Sequence, residues 1–163
     1  MRRAAALLLL LGAAPAVAQT ASSQVRVQVN RAGTLTKTQD LDFGRLIAGA
    51  TAGRAVVGTN GTRTRTGGVT LAGGTVSAAR FRAQSAPNQR FTIQLPTSPV
   101  TLTRAGGGAT MTVSNFTRNP GGGGPRLNAA GIRDISVGAR LNVAANQPAG
   151  SYAGTFNVTV NFQ

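Results

Sequence analysis

The amino-acid sequence predicts an all-β protein folded as a β-sandwich, and three observations carry that expectation. First, Tyr152, Phe156, Val158, Val160 and Phe162 fall on even positions, while Ala153, Thr155, Asn157, Thr159 and Asn161 fall on odd ones. Side chains alternate across a strand, so one face of this stretch is apolar and the other small and polar. Second, shorter runs with the same alternation recur along the chain between glycine-rich turns, supplied by 22 glycines. Third, no stretch of ten or more residues beyond the N-terminal apolar run has helical periodicity. Many short strands with frequent turns point to a sandwich or barrel.

The elements follow in order. Arg2 and Arg3, the apolar run Ala4–Leu11 and the Ala16-Val17-Ala18 site together read as a signal peptide over residues 1–18. The run is shorter than the ~20 apolar residues that span a bilayer. One domain of about 145 residues, 19–163, is expected to remain, exported to the periplasm, cell surface or exterior, with no membrane span. Val25, Val27 and Val29 share one face of a short first strand, Gln24–Val29. A second run begins at Leu35.

In Asp40–Ile47, Leu41 and Phe43 share a face, Asp40 and Asp42 point the other way, and Gly44 signals a bulge or a close backbone approach. Arg54–Val57 reads as a short strand, and Asn60-Gly61 is a hairpin signal. Arg63 and Arg65 then share a face, and paired glycines at 67–68 and 73–74 bracket a strand at Val69–Leu71. In Val76–Ala83, Phe81 faces the core and Arg80 and Arg82 face out. Phe91, Ile93 and Leu95 form a clear inward face, ended by Pro96 and Pro99. Val100–Leu102 and Met111–Val113 follow, with Phe116 displaced by a slip of register. Asn119–Pro125 reads as a surface loop. Ile132–Val137 and Leu141–Val143 lead to the last strand, Tyr152–Phe162, after the turn at Asn146–Ser151.

The missing residue types exclude most chemistry. There is no histidine and no cysteine. That removes Ser-His and Cys-His nucleophiles, histidine bases, zinc and haem sites, and disulfides. The three acids, Asp40, Asp42 and Asp134, are too few for calcium, which takes about 6–8 oxygen ligands. The glycine loop at 121–124 lacks the Lys-Ser/Thr and helix start of a phosphate cradle. A glycosidase pair of Asp42 and Asp134 is conceivable, but salt bridging to arginine is the simpler role. The expectation is a non-enzyme with no catalytic residues, no metal and no cofactor.

The chain is strongly basic, with 17 Lys and Arg against 3 acids and a formal charge of +14. An exported basic protein meets anionic polysaccharide, lipid head groups or DNA. The arginine- and alanine-rich usage with a single lysine equally fits a GC-rich coding sequence. With six phenylalanines, one tyrosine and no tryptophan, a base-stacking platform is sparse, so no specific nucleic acid is expected.

Three segments carry a resemblance. Leu41-Asp42-Phe43-Gly44, Phe91–Pro96, and Gln147–Tyr152 with Thr155–Val160 resemble, in order and spacing, domain-of-unknown-function family 4402, a set of small secreted bacterial β-proteins. Ser136-Val137-Gly138 and Leu141-Asn142-Val143 fit as well. That family looks similar to spore coat protein U-like pilins of the archaic chaperone–usher type. The similarity implies an immunoglobulin-like, pilin-like sandwich lacking one strand and completed by the N-terminal strand of the next subunit. Carried over, the donor strand is Val25–Val29, and the strand from Phe156 to Phe162 pairs with a periplasmic chaperone. The cysteine pair common in such pilins is absent here.

Three functions are expected from different classes. One is a fimbrial, pilus-like or surface-coat subunit joined to itself or related subunits by β-strand addition. The second is a self-contained sandwich binding anionic polysaccharide through Arg63, Arg65, Arg80 and Arg82. The third, a small outer-membrane barrel, ranks last because aromatics are few and strands short.

Overall fold

Ten strands and no helix make up residues 32–163, the part of the chain that the structure, a computed structural model, describes. The expected signal peptide, residues 1–18, and the expected strand with Val25, Val27 and Val29 lie outside it. The strands are β1 (Thr34–Gln39), β2 (Leu46–Val57), β3 (Arg63–Leu71), β4 (Ala79–Gln84) and β5 (Phe91–Gln94). After them come β6 (Val100–Arg104), β7 (Thr110–Asn119), β8 (Ile132–Val143), β9 (Tyr152–Ala153) and β10 (Thr159–Phe162).

β8 is the spine of the large sheet. β7 pairs along one of its edges, and β4 and β2 lie end to end along the other. Outside them, β1 pairs β4, β3 pairs β2, and β6 and then β9 extend the sheet beyond β7. All pairings are antiparallel, and a second, two-stranded ladder joins β10 to β5. The fold is an all-β, sandwich-like arrangement of curled antiparallel sheets, as the alternation predicts.

β8 arises because Ile135, Val137, Ala139, Leu141 and Val143 alternate inward and are all nearly inaccessible. The expected break between Val137 and Leu141 is absent. Gly138 stays in the ladder, since a Cβ there would collide with the Val57 carbonyl oxygen at the end of β2. Only glycine permits that approach. The expected register slip near Phe116 is present as a bulge between Ser114 and Thr117, with Asn115 at φ 50.

Three expectations are corrected. The stretch Tyr152–Phe162 is not one strand. Its first two residues pair with β6 and its last four with β5, and Gly154–Val158 passes between the two sheets outside both ladders. The faces are nevertheless as expected: Tyr152, Phe156, Val158, Val160 and Phe162 are half-buried and the odd positions exposed. Alternation reports which side is buried, not which neighbour supplies hydrogen bonds. Second, Gly67 and Gly68 lie within β3 and do not end it. The Thr51 and Ala52 backbone crowds them, and Gly67 has φ 74. Third, Asp40–Arg45 is not a strand: only Asp42 bridges, to Ser77, and β2 begins at Leu46.

Two apolar clusters fill the interior. One gathers Phe81, Ile135 and Val137 of the large sheet under Phe91 and Ile93 of β5, with Leu127. The other gathers Ala55, Val69, Val113, Leu141 and Val143. Leu41 and Phe116 pack against both. The β5–β10 ladder covers the first cluster; among the described residues no matching ladder lies over the second.

Candidate functional site

The uncovered half of the sheet forms an apolar groove of about 960 Å³. One wall is Leu41–Ala48 and the other is Ala149–Phe156. Half-buried Leu102, Met111 and Phe116 line it, above buried Val113, Leu141 and Val143. Ile47, 59% exposed, stands on it, an unusual cost for a large aliphatic side chain. Both walls include chain outside the ladders, since neither Phe43–Gly44 nor Gly154–Val158 belongs to a strand.

Each wall is pinned from behind. On the first, Arg63 of β3 sends Nη1 to the carbonyl of Phe43 and, at 3.1 Å, to that of Arg45; both guanidinium ends reach the Gly73 carbonyl at 3.4 Å. One cation thereby serves the Phe43 carbonyl and adds a second donor to those of Arg45 and Gly73, which already accept from the Ala72 and Arg45 amides at 3.0 and 2.9 Å. The Asp42 carboxylate accepts from the Gly44 amide at 2.7 Å, and Gly44 takes φ 65. This is a local Asx-type turn bond. On the second wall, the Tyr152 hydroxyl donates to the Pro148 carbonyl at 2.7 Å and accepts from Gln147 Nε2 at 2.9 Å. Gln147 Nε2 also donates to the Thr110 carbonyl at 3.1 Å. A tyrosine at a strand start bonded to backbone a few residues upstream is the corner found in Greek-key sandwiches.

Of the partner-pairing residues expected in the last strand, Tyr152 and Phe156 line the groove. Val158, Val160 and Phe162 pack into the first cluster beside β5. Phe156 contacts Phe116 at 5.1 Å and Phe81 at 6.3 Å between ring centroids, closing one end of the groove. Sequence reasoning missed Leu102, Met111 and Ile47 as groove residues. The alternation of β6 and β7 marks Leu102 and Met111 as inward, but nothing local says whether an inward face is covered.

The four arginines expected to form one anion-binding face are not brought together. Arg63 and Arg65 stand opposite Val57 and Ala55, on the inward side of β3, and β3 does not pair with β4. Arg63 is occupied by the carbonyls above, and Arg65 Nη1 donates to the Val69 carbonyl at 2.9 Å. Arg80 and Arg82 stand opposite Ser136 and Asp134, on the outward side. Arg82 holds Asp134 through two bonds of 2.8 and 3.2 Å. That hydrogen bonding holds the Asp134 carboxyl below its ordinary range and raises the Arg82 pKa; desolvation opposes both shifts, and attraction from Arg82, with a lesser share from Arg80, adds to the drop at Asp134. Asp40 pairs with Lys37 at 2.6 Å. Among the described residues no cluster of acids, histidines or cysteines could hold a metal, and no helix is long and apolar enough to cross a membrane.

No curated protein and no solved structure matches the chain. A Cβ on Gly33 would overlap the Phe162 ring, so the chain just ahead of β1 lies against the end of β10. Residues 33–162 match the family described as Domain of unknown function (DUF4402), and with that match spanning most of its length the chain belongs to this family.

Proposed function

We propose that this protein is an exported, non-catalytic structural subunit of a fimbria-like or surface-coat assembly, built by β-strand addition. The groove takes the Gln24–Val29 segment of a second copy, with Val25, Val27 and Val29 entering it. The observation that carries the reading is the groove itself. It is an apolar trough between two chain segments that lie outside the ladders, in a sheet that already has eight strands. Burying three valines stabilises by roughly 1.5–3 kcal/mol each, less the cost of ordering the segment. An extended six-residue segment reaches about 20 Å, enough to run along such a trough.

In this reading the inserted segment comes from a second copy. Gly33 packs against Phe162, while the groove is walled by Phe156, about 20 Å further along an extended chain. The chain therefore enters the described region at the end of β10 remote from the groove. The resemblance to spore coat protein U-like pilins supports the same reading, as does the signal peptide expected over residues 1–18, which would supply an export route. In that scheme a periplasmic chaperone occupies the groove before assembly.

Light scattering on residues 19–163 tests it. Concentration-dependent polymers are expected, and Val27→Asp or Leu102→Asp abolishes them while leaving a folded monomer. A Gln24–Asn30 peptide binds the Val27→Asp protein but not the Leu102→Asp protein. A wild-type monomer that ignores the peptide overturns the reading.

A further inference from the structure

The reverse face of the same sheet carries a different feature. Because β4 and β2 lie end to end along one edge of β8, their outward side chains fall along a single line. Arg80 stands opposite Ser136, Arg140 lies on β8 itself opposite Val56, and Arg54 stands opposite Asn142. Arg82, already paired with Asp134, continues the line. From position 134 to 142 along β8 the row is about 26 Å long at ~3.3 Å per residue.

The row is available. Arg54 and Arg80 are exposed and Arg140 is half-buried. Arg54 and Arg140 have no hydrogen-bond or ion-pair partner among the described residues, and Arg80 has only a through-space attraction to Asp134. The neighbours across the strands are short hydroxyls: Thr66 opposite Arg54, and Ser114 opposite Arg140. The guanidinium groups therefore stand clear of their flanks. At the Arg54 end the surface opens into a mixed cleft of about 540 Å³, with Met111 and Val143 beside the polar groups of Thr66, Thr112, Asn142 and Gln147. Asn142 Nδ2 is spent on Thr112 and Ser114, leaving its carbonyl oxygen to accept from a ligand hydroxyl.

We propose that this face binds a linear acidic polysaccharide, with Arg80, Arg140 and Arg54 pairing its successive anionic groups and the cleft seating a sugar ring. Single-file cations on a flat sheet match a single extended polyanion. Arginine's planar fork suits carboxylate or sulfate. The strands present no aromatic ring on this face for bases to stack upon, which disfavours single-stranded nucleic acid. The arginine row lies on the face opposite the groove, since Leu141 faces the groove and Arg140 faces away, while the cleft at its end shares Met111, Val143 and Gln147 with the groove lining.

The test is binding of the full chain to polygalacturonate and to dextran sulfate, with neutral dextran and single-stranded DNA alongside, across a salt series. The R54Q/R80Q/R140Q variant is expected to bind at least about tenfold more weakly, with a log–log salt slope shallower by about 2. An R90Q/R126Q/R133Q variant, with the same charge loss elsewhere, is expected to stay within about threefold of the parent. The two polyanions separate carboxylate from sulfate as the preferred group. If the row variant melts differently from the parent, Arg54→Gln and Arg140→Gln are read singly, each expected to weaken binding by about threefold. Equal losses in both triple variants, no loss in the row variant, or DNA binding as tight as either polysaccharide at the same salt overturns the proposal.

Discussion

The ring of Phe156 lies 5.1 Å from that of Phe116, tilted by 36°. Phe116 follows the bulge of β7 and packs against both clusters, while Phe156 sits on the stretch that crosses between sheets. Their contact joins the covered half of the sandwich to the open half.

A double-mutant cycle measures that joint. Phe116→Leu and Phe156→Leu are each expected to destabilise by about 1–2 kcal/mol, with a coupling of ~0.5–1.5 kcal/mol between them. Urea denaturation of the four proteins checks it, and additive effects would show that the rings act independently.

Arg63, half-buried, is expected to behave as a structural tie and not as a free surface charge. Arg63→Ala leaves the Phe43 carbonyl without its donor, removes the second donor from those of Arg45 and Gly73, and is expected to cost about 1–2 kcal/mol. Arg80→Ala, on the outward face, is expected to stay within ~0.5 kcal/mol. Limited proteolysis reads the same difference locally, with earlier cleavage in residues 40–48 of Arg63→Ala.

Tyr152→Phe removes one hydroxyl and two hydrogen bonds, to Pro148 and from Gln147. A loss of about 1–2 kcal/mol is expected in thermal melts. Faster amide exchange at Ala149–Gly154 than elsewhere would place the effect at the groove wall, and uniform exchange would refute that placement.

The pH dependence follows from Asp134. Its folded-state pKa is depressed, so its contribution is present at neutral pH and is lost as pH falls through that folded value, below the ordinary carboxylate value of about 4. The pair is solvent-exposed, so the effect on stability is small. Arg82→Gln is expected to move the Asp134 titration, followed by carboxyl NMR, up toward that ordinary value. An unmoved midpoint would count against the ion pair.

Much of this was legible in residue order. Phe91 and Ile93, Phe81 between Arg80 and Arg82, the slip at Phe116 and the inward face of the last segment all follow from period-two burial. What failed was continuity. Glycine at 67–68 and 138 reads as punctuation, yet it sits inside strands, because neighbouring backbone comes close enough to exclude a Cβ.

By itself, then, the sequence determined the β class, the inward and outward sets of nearly every strand, and the absence of histidine and cysteine chemistry. Tertiary structure alone decided that Tyr152 and Phe162 belong to different sheets, that Arg63 turns inward while Arg80 turns outward, and that Leu102 and Met111 border an open groove. The physical reason is one of range. Alternation is set by each residue's own contact with water or core, whereas pairing, strand order and coverage depend on which distant segment arrives alongside.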